Sequence, residues 1–323
     1  MKLVLLLFSI APLFAQAPAM AVVEKKAGMV AFYTADGKRL SEVKVGSFPH
    51  ETAFSPDRRF LYVTDNGLLW MTDPGEGVNT ISIIEVATRK KAGTIDLGSY
   101  RRPHGIAVLP KTGQIVTTIE NPDGLLLVDP VARRVVRKYE VKGKSPHMVT
   151  LGATADLAYV SNANSGAVAV LNLTSGNVEK LVPTGSNPQG GVLTKDRKTL
   201  YIANAASDKI SIIATDKNEV IGEIKTGVNP ARVELTPDEK TLVYNLQSSE
   251  GIGFADVQAR KQVAEIRLPG RPLSLSLSRD GRTAHLGLQD SDKIAIVSVP
   301  EKKIIRIIET PAGAGPDTIT PLP

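Results

Sequence analysis

The chain of 323 residues contains no cysteine. That excludes disulfides, thiolate metal sites, cysteine nucleophiles and a lipidated N-terminal cysteine in one step. Histidine is nearly as scarce, at four residues, and there is a single tryptophan. No segment after the first twenty residues is long and apolar enough to span a bilayer. There is no Gly-x-Ser-x-Gly elbow, no phosphate-binding Gly-x-x-x-x-Gly-Lys-Ser/Thr, no Gly-x-Gly-x-x-Gly opening a helix and no loop resembling an EF-hand. Sustained helical periodicity is missing as well.

The N terminus has the composition of a secretory leader. Lys2 is its short basic region, Leu3 to Phe14 its apolar core, and Ala15-Gln16-Ala17-Pro18-Ala19 the small residues after it. The expected organisation is a signal peptide over 1–19 and one domain over 20–323. Cleavage after Ala19 avoids leaving Pro18 at the new N terminus, and Ala15 is a second candidate. The protein is therefore expected in the periplasm or outside the cell. Hydrophobic content of 42% with 22% charged residues fits a folded globular protein rather than a disordered one. The net charge of +6 mildly favours anionic partners, but both signs are interspersed along the chain.

What the sequence does have is a repeat of about 42 residues, anchored by a glycine and a following proline. The anchor recurs at Gly46/Pro49, Gly98/Pro103, Gly143/Pro146, Gly185/Pro188, Gly227/Pro230, Gly270/Pro272 and Gly313/Pro316. Each unit reads as four short strands. In the fourth complete unit they are Gly191–Leu193, Thr199–Ala203, Lys209–Ile213 and Val220–Ile224, separated by Asp-, Asn- and Ser-rich turns. Four strands per repeat of this length is the blade of a β-propeller. Six units are complete between Gly46 and Thr310. The seventh is split, with its inner strand in Asp317–Leu322 and its outer three in Ala21–Glu24, Met29–Tyr33 and Leu40–Val45. The predicted fold is an all-β, seven-bladed propeller whose last blade joins the two ends of the chain and hides open edges.

Three segments then carry a resemblance: Phe60-Leu61-Tyr62-Val63-Thr64-Asp65-Asn66, Leu157-Ala158-Tyr159-Val160-Ser161-Asn162 and Leu200-Tyr201-Ile202-Ala203-Asn204. Together with the turns Ser55-Pro56-Asp57, Thr236-Pro237-Asp238 and Ser278-Arg279-Asp280-Gly281, they resemble the Tyr-Val-Thr-Asn (YVTN) repeat propeller family over nearly the whole mature chain. The resemblance implies an exported protein, distantly related to seven-bladed lactonases. It is specific for fold and poor for function.

The residue after each anchor proline starts an inner strand at the mouth of the central channel. Around the ring this slot holds His50, His104, His147, Gln189, Ala231, Leu273 and Asp317. Second strands run back to the same face and end in polar residues, among them Asp65, Asn66, Glu120, Asn162, Asn204 and Gln247. Two departures from the repeat fall there too: an insert within 66–78 that carries Trp70, and a lengthened second anchor that carries Arg101 and Arg102. Insertions on repeat scaffolds often map to the binding face, and an aromatic loop of this kind could cover a ligand in the channel mouth.

Three readings of the histidine arc stay open. One is a divalent transition-metal site formed by His50, His104 and His147, with Gln189, water or substrate completing the shell. Another is metal-free ligand binding or general-base catalysis beside basic residues. The third is a structural role inherited by duplication, because the slot shares a strand face with apolar residues such as Ile106 and Val149. The candidate ligand-binding residues are Trp70, Arg101, Arg102, Arg232 and Asp317.

Function follows the same division. The first expectation is a binding propeller for a small anionic molecule, a glycan or a protein. The alternatives are a metal-dependent lyase or hydrolase and, ranked last, a single-stranded nucleic-acid binder. The last wants stacking platforms, and only Trp70 and Tyr100 are available for that role.

Overall fold

The computed structural model describes residues 17–152, 154 and 156–322. Most of the leader expected over 1–19, residues 1–16, lies outside the described residues. Seven four-stranded antiparallel sheets are arranged in a ring, each strand paired with its sequence neighbour. The inner strands are Pro49–Phe54, Arg101–Val108, Pro146–Leu151, Pro188–Leu193, Pro230–Leu235, Ser276–Leu277 and Pro316–Pro321, numbered here as blades 1 to 7. Blade 7 is the split one. Its inner strand Pro316–Pro321 pairs antiparallel with Met20–Glu24, followed by Met29–Tyr33 and Arg39–Lys44. No helix among the described residues is long and apolar enough to cross a membrane.

Middle strands are buried on both faces, so they read as unbroken apolar runs rather than as alternating ones. Leu61, Tyr62 and Val63 are consecutive and all buried. The core lies between blades. One cluster joins Tyr62, Ile81 and Ile95 of blade 1 to Ile106, Ile115 and Leu126 of blade 2. Another joins Val23 and Phe32 of blade 7 to Leu61 and Ile84 of blade 1. The recurrent tyrosines Tyr62, Tyr159, Tyr201 and Tyr244 are all buried, in agreement with a packing role.

The Ser-Pro-Asp turns are self-contained caps. The Ser55 hydroxyl donates to Asp57 at 2.6 Å and accepts from the Phe60 N–H at 2.9 Å. Thr236 with Asp238 and Ser278 with Asp280 repeat the first of these bonds.

Candidate functional site at the channel mouth

Two local devices aim side chains into the channel mouth. The residue before the anchor proline takes a left-handed backbone conformation in six blades, at Phe48, Arg102, Ser145, Asn187, Asn229 and Gly315. That conformation is disfavoured for most residues, and more so before proline, so the ring imposes it. A β-bulge then follows in each inner strand that pairs through its anchor proline. Blade 1 slips register between Pro49 and Thr52, blade 2 between Pro103 and Ile106, and blade 3 between Pro146 and Val149. A regular strand would send His50 and Glu51 to opposite faces. A bulge re-aims one of them, and here both reach the same cluster.

Side chains of the second strands satisfy the backbone freed by the bulges and tie each blade to the next. Thr64 accepts from the Glu51 N–H at 3.0 Å and donates to the His104 carbonyl at 2.9 Å. Thr118 accepts from the Gly105 N–H at 2.8 Å and donates to the His147 carbonyl at 2.7 Å. Asn245 accepts from the Arg232 N–H at 2.6 Å and donates to the Pro272 carbonyl at 3.0 Å. Gly105 belongs to the same stitching. A Cβ there would sit 2.6 Å from the His147 carbonyl oxygen, so only glycine lets blades 2 and 3 approach this closely.

The histidines form a stacked arc. Ring centroids of His50 and His104 lie 4.1 Å apart, and those of His104 and His147 lie 4.0 Å apart, with tilts of 54° and 48°. All three are buried. The His104 Nδ1 shares a 2.8 Å hydrogen bond with Glu120, and its buried Nε2 has no partner. The His50 Nδ1 lies 2.7 Å from Asp317, off the axis of a full hydrogen bond, so this contact is mainly electrostatic. The Lys25 ammonium lies 3.2 Å from the same carboxylate.

The protonation states follow from burial and neighbours. Burial, then the other histidines and Arg232, hold His104 well below the usual imidazole range. Burial, then Arg232 and His50, do the same to His147. Both rings are neutral at pH 7 and can offer a lone pair. Burial alone would raise Asp317, but His50, Lys25 and Arg232 outweigh it and hold that carboxyl below its ordinary range. Burial pushes Glu120 up to about 7, with Arg102 and Lys25 opposing.

Deeper in the channel, Glu51 of blade 1 meets Arg232 of blade 5 at 2.6 Å, and Thr318 donates to its other oxygen at 3.2 Å. Above the arc lies a cavity of ≈ 350 Å³. Its walls include His50, His104, His147, Gln189, Lys25, Arg232, Arg271 and the amides of Asn187, Asn229 and Gln247. The insert forms one side through Leu69, Trp70, Met71 and Thr72. The Arg271 guanidinium sits 5.0 Å from the centre of the Trp70 ring, within cation–π range.

The candidates chosen from sequence are thus divided. His50, His104, His147, Gln189, Trp70 and Arg232 line one cavity. Gln189 turns its amide to Asn187 at 2.5 Å. Asp317 is fully buried behind His50. Arg101 and Arg102 lie behind the insert rather than in the cavity wall. Arg102 donates to the Met71 carbonyl at 2.7 Å and pairs with Glu120 at 2.6 Å, while Arg101 reaches the Gly77 carbonyl at 3.3 Å. The slot histidines were expected to share a face with Ile106 and Val149. Those two do pack between blades, and a register shift lies between each anchor proline and its apolar residue.

Glu51 and Lys25 were not among the site residues chosen from sequence. Glu51 had one available signal. The position after the slot reads Glu51, Gly105, Met148, Gly190, Arg232, Ser274 and Thr318, with one acid and one base facing across the ring.

These features define the molecule as a seven-bladed β-propeller with a lined cavity at one mouth of its channel. The chain belongs to the choice-of-anchor I domain family, whose profile matches residues 14–197. No protein of curated function matches it in sequence. Among solved structures it is similar to a functionally unknown protein from Desulfotomaculum acetoxidans, at TM-score 0.80 and 12% identity, covering 95% of this chain and 99% of that one. It is also similar to the periplasmic gluconolactonase PpgL of Pseudomonas aeruginosa, at TM-score 0.76 and 16% identity, covering 95% and 99%. A third is the dihydro-heme d1 dehydrogenase NirN, at TM-score 0.70 and 14% identity, covering 97% and 78%. At such identities the likeness is one of fold.

Proposed function

We propose that the chain is an exported propeller of the YVTN-repeat type that binds a small anionic molecule in the cavity beneath Trp70. Export rests on the leader composition of residues 1–19, and the repeat type on the segments around Tyr62, Tyr159 and Tyr201. One observation carries the ligand class. Lys25, Arg232 and Arg271 contribute cations to the cavity wall, three imidazoles and several amides contribute polar atoms, and no carboxylate is part of the lining. The carboxylates that balance two of these cations, Asp317 and Glu51, lie behind the wall. A volume of ≈ 350 Å³ under an overhanging loop suits a small molecule better than a protein surface.

The experiment is calorimetric titration with glucuronate, gluconate, succinate and inorganic phosphate. One of them is expected to bind at a single site, with affinity falling as salt is raised and at least tenfold weaker in Arg271→Ala. Absence of saturable binding across the panel, or binding indifferent to Arg271, would overturn the reading.

A second reading is a metal-dependent lyase or hydrolase acting on a sugar acid or lactone. The neutral imidazoles of His104 and His147 in the cavity wall favour it, since a neutral imidazole serves either as ligand or as base. Acid release from gluconolactone in a pH-stat, compared with the His104→Ala variant, decides it.

A further inference from the structure

We propose that His50, Glu51 and His104 form a divalent transition-metal site, and that the bound anion completes its coordination. The inference rests on the reading that the cavity takes an anion. The ligand set differs from the one expected from sequence. Among the described residues, these three side chains form the only set of three or more histidines and carboxylates whose ligand atoms all lie within 4.8 Å of one another. His147 stacks on His104 outside that group, and Gln189 is turned to Asn187. Both face the cavity, on the side an anion would occupy.

Three further observations point the same way. The three residues are each no more than 8% exposed. A buried polar atom without a partner is costly, and the His104 Nε2 is one. Its Nδ1 is held by Glu120, the arrangement that orients a metal-binding imidazole and fixes which nitrogen is free. The Glu51 carboxylate also keeps capacity. One oxygen is taken by Arg232, and the other accepts a single 3.2 Å bond from Thr318. Two imidazoles and one carboxylate suit manganese, iron, cobalt or zinc, with positions left open.

Charge balance ties the metal to the anion. Around the rings, Glu51, Asp317 and Glu120 are matched by Arg232, Lys25 and Arg102. A divalent ion therefore adds two uncompensated charges to a buried site, which an anion in the cavity offsets. Arg271, which has no carboxylate within salt-bridge distance among the described residues, stands ready to hold the anion's outer oxygens. Metal and anion should then raise each other's affinity by the same factor.

The test uses the full chain, chelator-treated and free of any affinity tag. Titration with cobalt(II), read by its visible absorption and by elemental analysis after dialysis, is expected to saturate at about one ion per chain. His50→Ala, His104→Ala and Glu51→Gln should each weaken binding at least tenfold, while His285→Gln, remote in blade 6, should not. The wild-type titration needs no variant to fold, and Glu51→Asp, expected to keep cobalt, separates ligand loss from misfolding. No saturable cobalt in the wild type, or undiminished binding in Glu51→Gln, overturns the site. Repeating the glucuronate and phosphate titrations on chelated and cobalt-loaded protein separates the two proposals. Anion binding without cobalt binding removes the metal site alone, and cobalt binding without anion binding removes the anion reading alone.

Discussion

Glu51 on the first blade and Arg232 on the fifth meet inside the channel at 2.6 Å, though 181 residues separate them. Both are buried, so each has given up water for the other. Removing one partner of such a pair leaves an uncompensated charge, which typically costs about 3–5 kcal/mol, whereas replacing both is far milder. Arg232→Ala is therefore expected to lose stability in this range by denaturant unfolding. The double replacement Glu51→Gln with Arg232→Met should regain at least half of it. An Arg232→Ala protein as stable as the parent would show that the bridge is not formed in solution.

A second prediction concerns acid. Glu234 lies two residues beyond Arg232 in the same inner strand, and burial, then the Glu51 charge, push its carboxyl up to about 7. It is half-buried along the channel rather than sealed off. A carboxyl whose folded pKa is raised contributes stability that is full below its ordinary value near 4.5 and is lost as pH rises through about 7. His104 and His147 do the opposite. Their folded values lie below 6.5, so the stability they contribute is lost as pH falls below 6.5. The terms oppose one another between pH 7 and 5, the contribution of each titrating group bounded by about 1.4 kcal/mol per pH unit. Glu234→Gln deletes one of the compensating carboxyls. This variant should be more stable than the parent at pH 8 and lose stability more steeply on acidification, as read from urea midpoints across that range. Parallel pH profiles for the two proteins would refute the assignment.

Trp70 is the sole tryptophan and lies in the cavity wall under Arg271. Intrinsic fluorescence is therefore a direct reporter of the site. Saturation with the bound anion should shift its emission, and Trp70→Ala should weaken binding about tenfold with little change in stability. An emission spectrum unchanged at saturation would place the ligand elsewhere.

Gly105 supplies the fourth prediction. Because an added methyl would meet the His147 carbonyl at 2.6 Å, Gly105→Ala must separate blades 2 and 3. Overpacking of this kind costs about 1–3 kcal/mol. The variant should also weaken ligand binding, since it separates His104 from His147. Unchanged stability and affinity together would mean that the ring absorbs the methyl freely.

Much of this was legible in the sequence, for identifiable reasons. The Gly–Pro anchor repeats, so blade number, strand order and the closure of Pro316–Pro321 onto Met20–Glu24 follow from counting. The histidine slot was legible because duplication keeps equivalent residues in equivalent places. Glu51 was hidden by geometry. Strand alternation assigns it to the face opposite His50, and only the bulge, which leaves no mark in a hydrophobicity pattern, brings it round. Arg101 and Arg102 were legible as neighbours of the site but not as the struts of the Trp70 loop, because nothing local to them names Met71 or Glu120 as partners. Lys25 was hidden by distance. It follows the first strand, and the carboxylate it meets, Asp317, is nearly the whole chain away.

That last contact ties assembly to competence. His50 is oriented by Asp317 from the final strand, and Asp317 is in turn paired with Lys25 beside the first strand. A chain emerging during synthesis carries all three histidines long before Asp317 arrives. Until that strand docks, the arc lacks one of its two acidic supports, so a partly folded chain would not present the proposed site complete. Binding competence would then arise in the same event that closes the ring.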